Sequence, residues 1–315
     1  MDTCTHKIRE LSLKLLEEKE VDKVIGFANG TIPMATSPII ITSKQDTQKL
    51  VFNSTCGLNL ANYIRNQKGK IAVIAKGCDA RNIVTHIVEN QIQREQLYII
   101  GVPCKGMIDK AKITSLFEDE IIEFTEDGDT LNVKSFLKQE QLNKKDYLRE
   151  NCRLCLHKNP VIYDVLADDL VREQTLDIPY PDVEKIEAMD ADTKWQHFED
   201  LTRNCIRCYA CRNACPLCYC PTCFVDESGP QWVGKGQDKT DVNTFHFLRA
   251  FHCAGRCTDC GACVQACPMD INVRDFTRKL NKDSFEMFGW EAGLDITKRP
   301  PLDAYSPDDP NDFIK

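Results

Sequence analysis

The chain lacks the long apolar run that a membrane-spanning helix requires. Its longest apolar stretches, such as residues 71–75, fall far short of the roughly 20 residues that cross a bilayer. We therefore expect no direct membrane insertion, and any membrane association would depend on a partner. The chain also lacks a basic excess, because 40 lysines and arginines face 48 acidic residues for a net charge of −8. This balance gives no indication of a nucleic-acid partner.

The sequence also lacks a nucleotide-binding fingerprint and a secretion signal. No G-x-G-x-x-G follows a predicted strand, and no P-loop is found. Residues 1–20 are charged and have no apolar segment of the kind found in signal peptides. We therefore expect a cytoplasmic, reducing location, where the 18 cysteines bind metal rather than form disulfides.

Two segments repeat the spacing C-x2-C-x2-C-x3-C-P, which is typical of bacterial two-cluster ferredoxins. They are residues 205–216 and 257–268. In this pattern three thiolates of each run bind one 4Fe–4S cluster and the fourth binds the other cluster, while the proline ends the turn. Zinc sites usually combine two cysteine pairs, so zinc is a poor interpretation of these runs of four. The predicted ligands are Cys205, Cys208, Cys211 and Cys267 for one cluster, and Cys257, Cys260, Cys263 and Cys215 for the other.

The first half of the chain contains a predicted strand–helix–strand unit. Residues 70–76 and 97–102 are apolar strands, and residues 79–91 are a helix with Asp79 as its predicted N-cap. Such strands are parallel and end at the same edge of the sheet, where Cys78 and Cys104 follow them. A metal-ligand role is favoured for both thiols, although small buried cysteines at strand ends are the alternative.

Cys152 and Cys155 form an isolated C-x2-C. This motif is either half a metal site or a thioredoxin-like redox pair. The redox pair would follow an apolar strand, whereas the charged residues 144–150 precede this motif, so half a metal site is favoured. Cys78 and Cys104 are candidates for the other half.

These motifs together resemble a known family. The segment 76–106 and residues 152–164 resemble the N-terminal part of the beta subunits of deazaflavin-coenzyme-dependent hydrogenases and formate dehydrogenases, over roughly residues 20–170. The resemblance implies a third 4Fe–4S cluster with ligands Cys78, Cys104, Cys152 and Cys155, with Cys56 as a substitute. It also implies FAD in the full-length enzymes, where the flavin site needs a further domain. Here a linker and the ferredoxin segment follow residue 170, so FAD binding is left open.

Further cysteines lie between the two ferredoxin runs. They form the pattern C-x-C-x2-C, with Cys253 shortly before the second run. These thiols either build a further metal site or shield the clusters and contact a partner. The predicted members of the further site are Cys218, Cys220 and Cys223.

The predicted architecture is an α+β or α/β domain with a partly parallel sheet, followed by a small helical ferredoxin-like domain. The expected limits are 1–172 for the α/β domain, 173–200 for a linker and lead-in helix, 201–285 for the ferredoxin-like domain and 286–315 for an extended tail. Additional elements expected are helices at 57–66, 195–203 and 273–281, and a hairpin within 121–135.

The expected function is electron transfer within a cytosolic, anaerobic oxidoreductase complex of formate dehydrogenase, hydrogenase or heterodisulfide-reductase type. The chain would relay electrons from a catalytic subunit to another subunit or to a soluble ferredoxin, and no residue is predicted to be catalytic. Two alternatives stay open. One is a flavin-containing subunit that itself reduces a deazaflavin or another acceptor, and the other is a redox-sensing or assembly protein.

Overall fold

The computed structural model describes residues 3–303. The chain divides into two compact units. The first comprises the residues up to Ala80 together with Gln91–Leu176, and the second comprises Arg81–Asn90 together with the residues from Asp177 onward. Residues 81–90 thus group with a part of the chain that lies far downstream, which no local pattern indicates. The domain limits expected from the sequence stay a prediction.

The strands of the first unit form two sheets. In chain order they are β1 (Lys23–Asn29), β2 (Thr36–Ile41), β3 (Leu50–Val51), β4 (Ile71–Lys76), β5 (Leu97–Val102), β6 (Ile121–Asp127), β7 (Thr130–Ser135), β8 (Gln139–Asn143) and β9 (Val165–Leu166). The larger sheet has the order β2-β1-β4-β5-β9, with β3 also paired to β1. Strand β4 pairs parallel with β1 and β5, β5 pairs parallel with β9, and β2 and β3 pair antiparallel with β1. The prediction of a mixed α and β fold with a partly parallel sheet is confirmed.

Strands β4 and β5 form the centre of the larger sheet. Every residue of β4 is buried, as expected for an apolar strand covered on both faces. Its parallel register with β5 runs from Ile71 opposite Leu97 to Lys76 opposite Val102, so the two strands have the same length and end together. The predicted strand–helix–strand unit is therefore confirmed.

The smaller sheet is the antiparallel meander β6-β7-β8. Its first turn contains Gly128 with a φ of 59°, a left-handed conformation that glycine adopts without steric cost. The hairpin predicted within residues 121–135 is confirmed. A hydrophobic cluster forms around this sheet and comprises Met34, Ile108, Ile113, Phe117, Ile121, Leu131 and Val133.

The helices of the first unit correct two predictions. They are α1 (Thr3–Glu17), α2 (Gly77–Val88), α3 (Lys110–Thr114) and α4 (Glu150–Arg153). The helix predicted at residues 57–66 is wrong, since only a 3-10 turn at Leu60–Tyr63 forms there, capped by the Asn59 side chain. Asp79 is not the N-cap of α2, because the helix already begins at Gly77 and Asp79 lies in its first turn.

The second unit is helical. Its helices are α5 (Pro181–Glu187), α6 (Ala191–Thr202), α7 (Ala210–Asn213), α8 (Lys239–His252), α9 (Ala262–Gln265) and α10 (Arg274–Phe288). The helices predicted at 195–203 and 273–281 are confirmed, with wider bounds. The last residues of helix α2 (81–88) also belong to this unit. Among residues 3–303, no helix combines the length and apolarity needed to cross a bilayer.

Helix α5 lies within the segment expected to be a linker. Arg278 on α10 forms a two-point ion pair with Asp182 on α5, at 2.9 and 2.8 Å. The Lys282 ammonium on α10 lies 2.5 Å from a carboxylate oxygen of Glu187. Part of the expected linker is therefore held against the ferredoxin-like segment. The expected tail, residues 286–315, begins inside α10, which ends at Phe288. A 3-10 turn forms at Pro301–Asp303, and residues 304–315 lie outside the described part of the chain.

Candidate metal centres

Cys78 and Cys104 lie at one edge of the larger sheet. Cys78 occupies the second position of α2, directly after β4, and Cys104 follows β5 after a single proline. Because β4 and β5 are parallel and end together, both cysteines leave the sheet on the same side, as the sequence predicted.

A loop after β5 provides hydrogen bonds to two of the predicted ligands. The backbone N–H of Gly106 donates to Cys104 Sγ at 3.3 Å, and the N–H of Met107 donates to Cys152 Sγ, also at 3.3 Å. Gly106 has a φ of 101°, and a Cβ there would lie 2.9 Å from a Leu148 methyl group, so only glycine suits this position. Amide donors of this kind stabilise thiolates and tune the metals that they bind.

The segment after Cys155 passes closely over the ends of β4 and β5. A Cβ on Gly77 would lie only 2.4 Å from the carbonyl oxygen of His157, and the N–H of Cys104 donates to the carbonyl of Lys158 at 2.9 Å. The missing side chain of Gly77 thus lets the segment with Cys155 approach the residues next to Cys78 and Cys104.

The thiols at this edge influence one another. Burial raises the pKa of Cys104 to about 12, and the neighbouring thiols of Cys152 and Cys155 add to the rise. The ionised form of a buried cysteine is unfavourable when the thiolate stands alone. It becomes favourable when a bound cation compensates the negative charge. The structure therefore brings Cys104, Cys152 and Cys155 together, with Cys78 on the same edge.

Lys76 supplies a buried positive charge next to these thiols, which the sequence analysis missed. Its side chain is 2% exposed, and its ammonium lies 2.8 Å from Asp79 and 5.0 Å from the centre of the Phe27 ring. Burial alone would lower the pKa of Lys76, but Asp79 and the thiolates of Cys78 and Cys104 outweigh it and hold the pKa above its usual value. The sequence feature that could have indicated this buried charge is a lysine at the end of an apolar strand.

We expect Asp79→Asn to destabilise the protein strongly, because it removes the carboxylate that pairs with the buried Lys76 ammonium. Asp79 is completely buried and also accepts backbone N–H groups from Leu60 and Lys76. Breaking such a pair costs about 3–5 kcal/mol, which should appear as a lower urea midpoint under anaerobic conditions. The exposed pair between Lys7 and Glu10 provides the control, since Glu10→Gln should leave the midpoint unchanged. Equal midpoints for both variants would contradict the prediction.

Cys56 is also buried in the first unit. Burial raises the pKa of its thiol to about 11. Its sulfur lies 3.8 Å from both the Val51 carbonyl and Asn53 Oδ1, with geometry that lets the S–H donate to either. These contacts fit a protonated structural thiol, whereas its role as a substitute ligand stays a prediction.

The first predicted ferredoxin set lines one apolar cavity in the second unit. Its four cysteines share the cavity with Phe245, Ile271 and Val273 among others. Backbone amides donate to two of the sulfurs at 3.4 Å, from Arg207 to Cys205 and from Ile271 to Cys267. Burial raises the pKa of Cys205 and of Cys211, and in both cases the Cys267 thiol contributes to the rise. The cysteines that line the cavity are Cys205, Cys208, Cys211 and Cys267.

The second predicted set gathers in the same way. Burial raises the pKa of Cys257, Cys260 and Cys263, and the Cys215 thiolate contributes to all three rises. The N–H of Asp259 donates to Cys257 Sγ at 3.4 Å. The fourth cysteine of the first run thus lies near the cysteines of the second run, while Cys267 of the second run lies near the first.

The two runs share an unusual backbone as well as a spacing. Arg207 and Asp259 occupy equivalent positions and have φ angles of 51° and 55°. Tyr209 and Gly261, two residues later, have φ angles of 59° and 71° and precede the one-turn helices α7 and α9. The N–H groups of the left-handed residues Arg207 and Asp259 donate to the sulfurs of Cys205 and Cys257, an arrangement that favours an anion.

Two side chains of α8 that the sequence analysis missed lie among these cysteines. The Nε2 atom of His246 is 3.2 Å from Cys205 Sγ, and burial together with Arg249 and Arg207 lowers the pKa of His246 to about 4. Arg249 is 4% exposed and donates to the carbonyl of Cys211 at 3.1 Å. Their spacing of three residues on one helix face was the available signal, but charged helix residues usually face solvent.

Cys218 and Cys253, two cysteines outside the three predicted sets, lie close to Cys215. The sulfurs of Cys215, Cys218 and Cys253 all lie within 4.8 Å of one another. Cys220 and Cys223, predicted to act with Cys218, are not members of this group, and Cys220 is exposed.

No protein-family model matches the chain. The beta subunit of the F420-dependent formate dehydrogenase of Methanocaldococcus jannaschii is 26% identical over 361 aligned positions, covering 95% of this chain and 94% of the relative. The beta subunit of F420-dependent formate dehydrogenase 1 of Methanococcus maripaludis is 26% identical over 370 positions, covering 96% and 94%. The chain is similar to these beta subunits along nearly its whole length.

This similarity confirms the resemblance indicated by the cysteine motifs and widens it. The predicted extent, residues 20–170, was too narrow, because the match covers 95% of the chain and so includes most of the segment with the two repeated cysteine runs. Both alignments are longer than the 315 residues of the chain, so the relatives carry residues without a counterpart here. Among solved structures, a chain of the F420-reducing NiFe hydrogenase complex from Methanosarcina barkeri is 15% identical with a TM-score of 0.38, covering 49% of this chain and 62% of that chain.

Proposed function

We propose that the chain is an iron–sulfur electron-transfer subunit of an oxidoreductase complex of formate dehydrogenase or hydrogenase type. The observation that carries the proposal is that the four cysteines of the first ferredoxin-type set line one apolar cavity, with Cys208 as the exposed member. The similarity to beta subunits of formate dehydrogenases supports a role beside other subunits.

The residues of each set suit a 4Fe–4S cluster. Thiolates are the ligands that such clusters require, and a backbone N–H donates to at least one sulfur in every set. When bound, the clusters supply one-electron carriers. The surrounding protein holds the sulfurs in position, excludes water with apolar side chains and adjusts the potential by N–H donors and the charges of Lys76 and Arg249.

The first ferredoxin-type set has a surface-exposed member through which electrons could be exchanged with another protein. Cys208 is the exposed member of its set, and the neighbouring Ile206 is 46% exposed. A cluster with one ligand at the surface exchanges electrons over a short distance with a docked protein. We therefore propose that another subunit, or a soluble ferredoxin, docks over Cys208.

The test is an iron and sulfide analysis of anaerobically purified protein. Three clusters require about 12 iron and 12 sulfide per chain, and dithionite should bleach their absorption. About 8 iron atoms would remove the third cluster from the proposal, and fewer than about 4 would reject the electron-transfer function. A redox-sensing or assembly protein is distinguished by slow electron exchange with an added ferredoxin.

A second candidate function, a flavin-containing subunit, is favoured by a cavity of about 510 Å³ in the first unit. Cys152 lies in its wall, and most of the remaining lining is basic. A phosphate-bearing cofactor fits such a lining, although Lys144 and Lys145 are already paired with Glu126 and Asp129. Flavin released on denaturation of the same preparation would favour this candidate. The basic lining residues are Lys105, Lys144, Lys145, Arg153, Lys158 and Arg172.

A further inference from the structure

Three thiols of the second unit converge on one point. The sulfurs of Cys215, Cys218 and Cys253 lie within 4.8 Å of one another. Cys215 and Cys218 stand on one tight turn, in which the N–H of Cys218 donates to the carbonyl of Cys215 at 3.1 Å. Cys253 is 3% exposed and caps the C-terminus of α8. The group therefore combines a C-x2-C pair with a third cysteine from a different element, as zinc sites often do.

The spacing of the sulfurs fits a single metal ion. Tetrahedral thiolate ligands at about 2.3 Å from zinc lie roughly 3.8 Å from one another. This separation is compatible with the sulfur–sulfur distances here, which are all within 4.8 Å. Each ligand of a 4Fe–4S cluster binds its own corner iron, so those sulfurs spread around the cube instead of converging. A disulfide would bind only two of the three sulfurs and leave the third unexplained.

The surrounding charge indicates that the group is anionic. Arg249 is buried one turn before Cys253, with 4% of its surface exposed. Its guanidinium donates to the Cys211 carbonyl at 3.1 Å, and its Nε–H has no hydrogen-bond acceptor within the described part of the chain. A buried guanidinium needs a nearby anion, and thiolates are the groups that surround it.

We propose that Cys218 and Cys253, together with Cys215, form a mononuclear thiolate site for a divalent cation such as Zn²⁺, additional to the three proposed clusters and sharing Cys215 with one of them. Cys215 also lies near Cys257, Cys260 and Cys263, so the residues that would hold the ion and those that would hold the second ferredoxin-type cluster have this cysteine in common. In the described part of the chain no fourth ligand atom joins the group. The fourth position is therefore open to water or to a small thiol, as in zinc sites that bind exogenous ligands.

The test uses the full chain, purified anaerobically without a histidine tag and incubated with Zn²⁺ before removal of loosely bound metal. We expect about one zinc per chain by mass spectrometry, with about three sulfur neighbours near 2.3 Å in X-ray absorption at the zinc edge. Cys218→Ser combined with Cys253→Ser should lose at least nine-tenths of this zinc and keep its iron. Cys220→Ser is the matched control, because this exposed cysteine lies beside Cys218 but outside the group, and it should keep both metals.

Three results would overturn the inference: no zinc in the wild-type chain, zinc retained by the double variant, or a loss of about four iron atoms together with the zinc. The last would assign Cys218 or Cys253 to a cluster. Unchanged iron in the double variant also shows that the variant folds. Because the inference rests on the proposed function only through the shared Cys215, a chain with zinc but little iron would reject the electron-transfer function and leave the zinc site standing.

Discussion

Replacing Cys152 and Cys155 by serine should remove about four of the roughly 12 iron atoms per chain and leave about eight. Both thiols stand beside Cys104, and the Met107 N–H is directed at the Cys152 sulfur. Serine oxygens cannot replace two thiolates on soft iron, so the third cluster should not assemble. The ferredoxin-like sets belong to the other compact unit and should keep their iron. Iron and sulfide analysis measures the loss, and electron paramagnetic resonance of the reduced protein identifies the missing signal.

The control for this experiment is Cys56→Ser, which alters a buried thiol of the same unit. Cys56 lies within hydrogen-bonding distance of Val51 and Asn53, and its replacement should leave all of the iron in place. If the double variant keeps about 12 iron atoms, the assignment of Cys152 and Cys155 is wrong. If Cys56→Ser loses about four, Cys56 is the ligand and one of the four proposed cysteines is not.

Removing the charge of Arg249 should shift the midpoint potentials of both ferredoxin-type clusters to more negative values. Its guanidinium is buried between Cys211 of one set and Cys215 and Cys263 of the other. A positive charge stabilises the reduced, more negative cluster, and at an effective dielectric constant of about 20 it contributes about 2–3 kcal/mol over several ångströms. This corresponds to a shift on the order of 100 mV for one electron. Redox titration of Arg249→Gln, followed by paramagnetic resonance, measures it.

Arg249→Lys is the matched variant because it keeps the charge and loses the planar donor. We expect its potentials to stay close to those of the wild type, whereas those of Arg249→Gln fall. Equal shifts in both variants would attribute the effect to the hydrogen bond with Cys211 rather than to charge. Iron analysis of both variants shows that the clusters are present during the titration.

Features that depend on local spacing could be predicted from the sequence. The ferredoxin runs place their thiols through a few left-handed residues and one helical turn, so the spacing alone indicates the motif. The two strand ends with Cys78 and Cys104 followed from the rule that parallel neighbours end at one edge, and the register of β4 and β5 confirmed it. The predicted helix at 57–66 failed because its apolar residues are buried in a 3-10 turn and irregular chain, which periodicity does not distinguish from a helix.

Features that depend on long-range packing could not be predicted. The sequence analysis included Cys218 and Cys253 among the thiols of a possible further site, but it could not select this pair over Cys220 and Cys223, because α8 and the loops before it decide which thiols meet. Arg249 lies in a helix of mixed composition, where a charged residue normally faces solvent, and only the surrounding thiols make its burial tolerable. Lys76 likewise continues an apolar strand, and its counter-ion Asp79 is visible only once the start of α2 is known.

The grouping of residues 81–90 with the second unit has a consequence for how the protein is made. Asn82 donates to the Thr258 hydroxyl at 2.7 Å, Glu89 pairs with Arg256, and Arg81 donates to the Ala292 carbonyl at 2.8 Å. On the ribosome these residues emerge about 10–40 seconds before their partners, at the usual 5–20 residues per second. During that interval the later turns of α2 lack the residues that cover them in the folded protein. A gene fragment that begins at residue 177 would encode Arg256, Thr258 and Ala292 without residues 81–90, which complete the second unit.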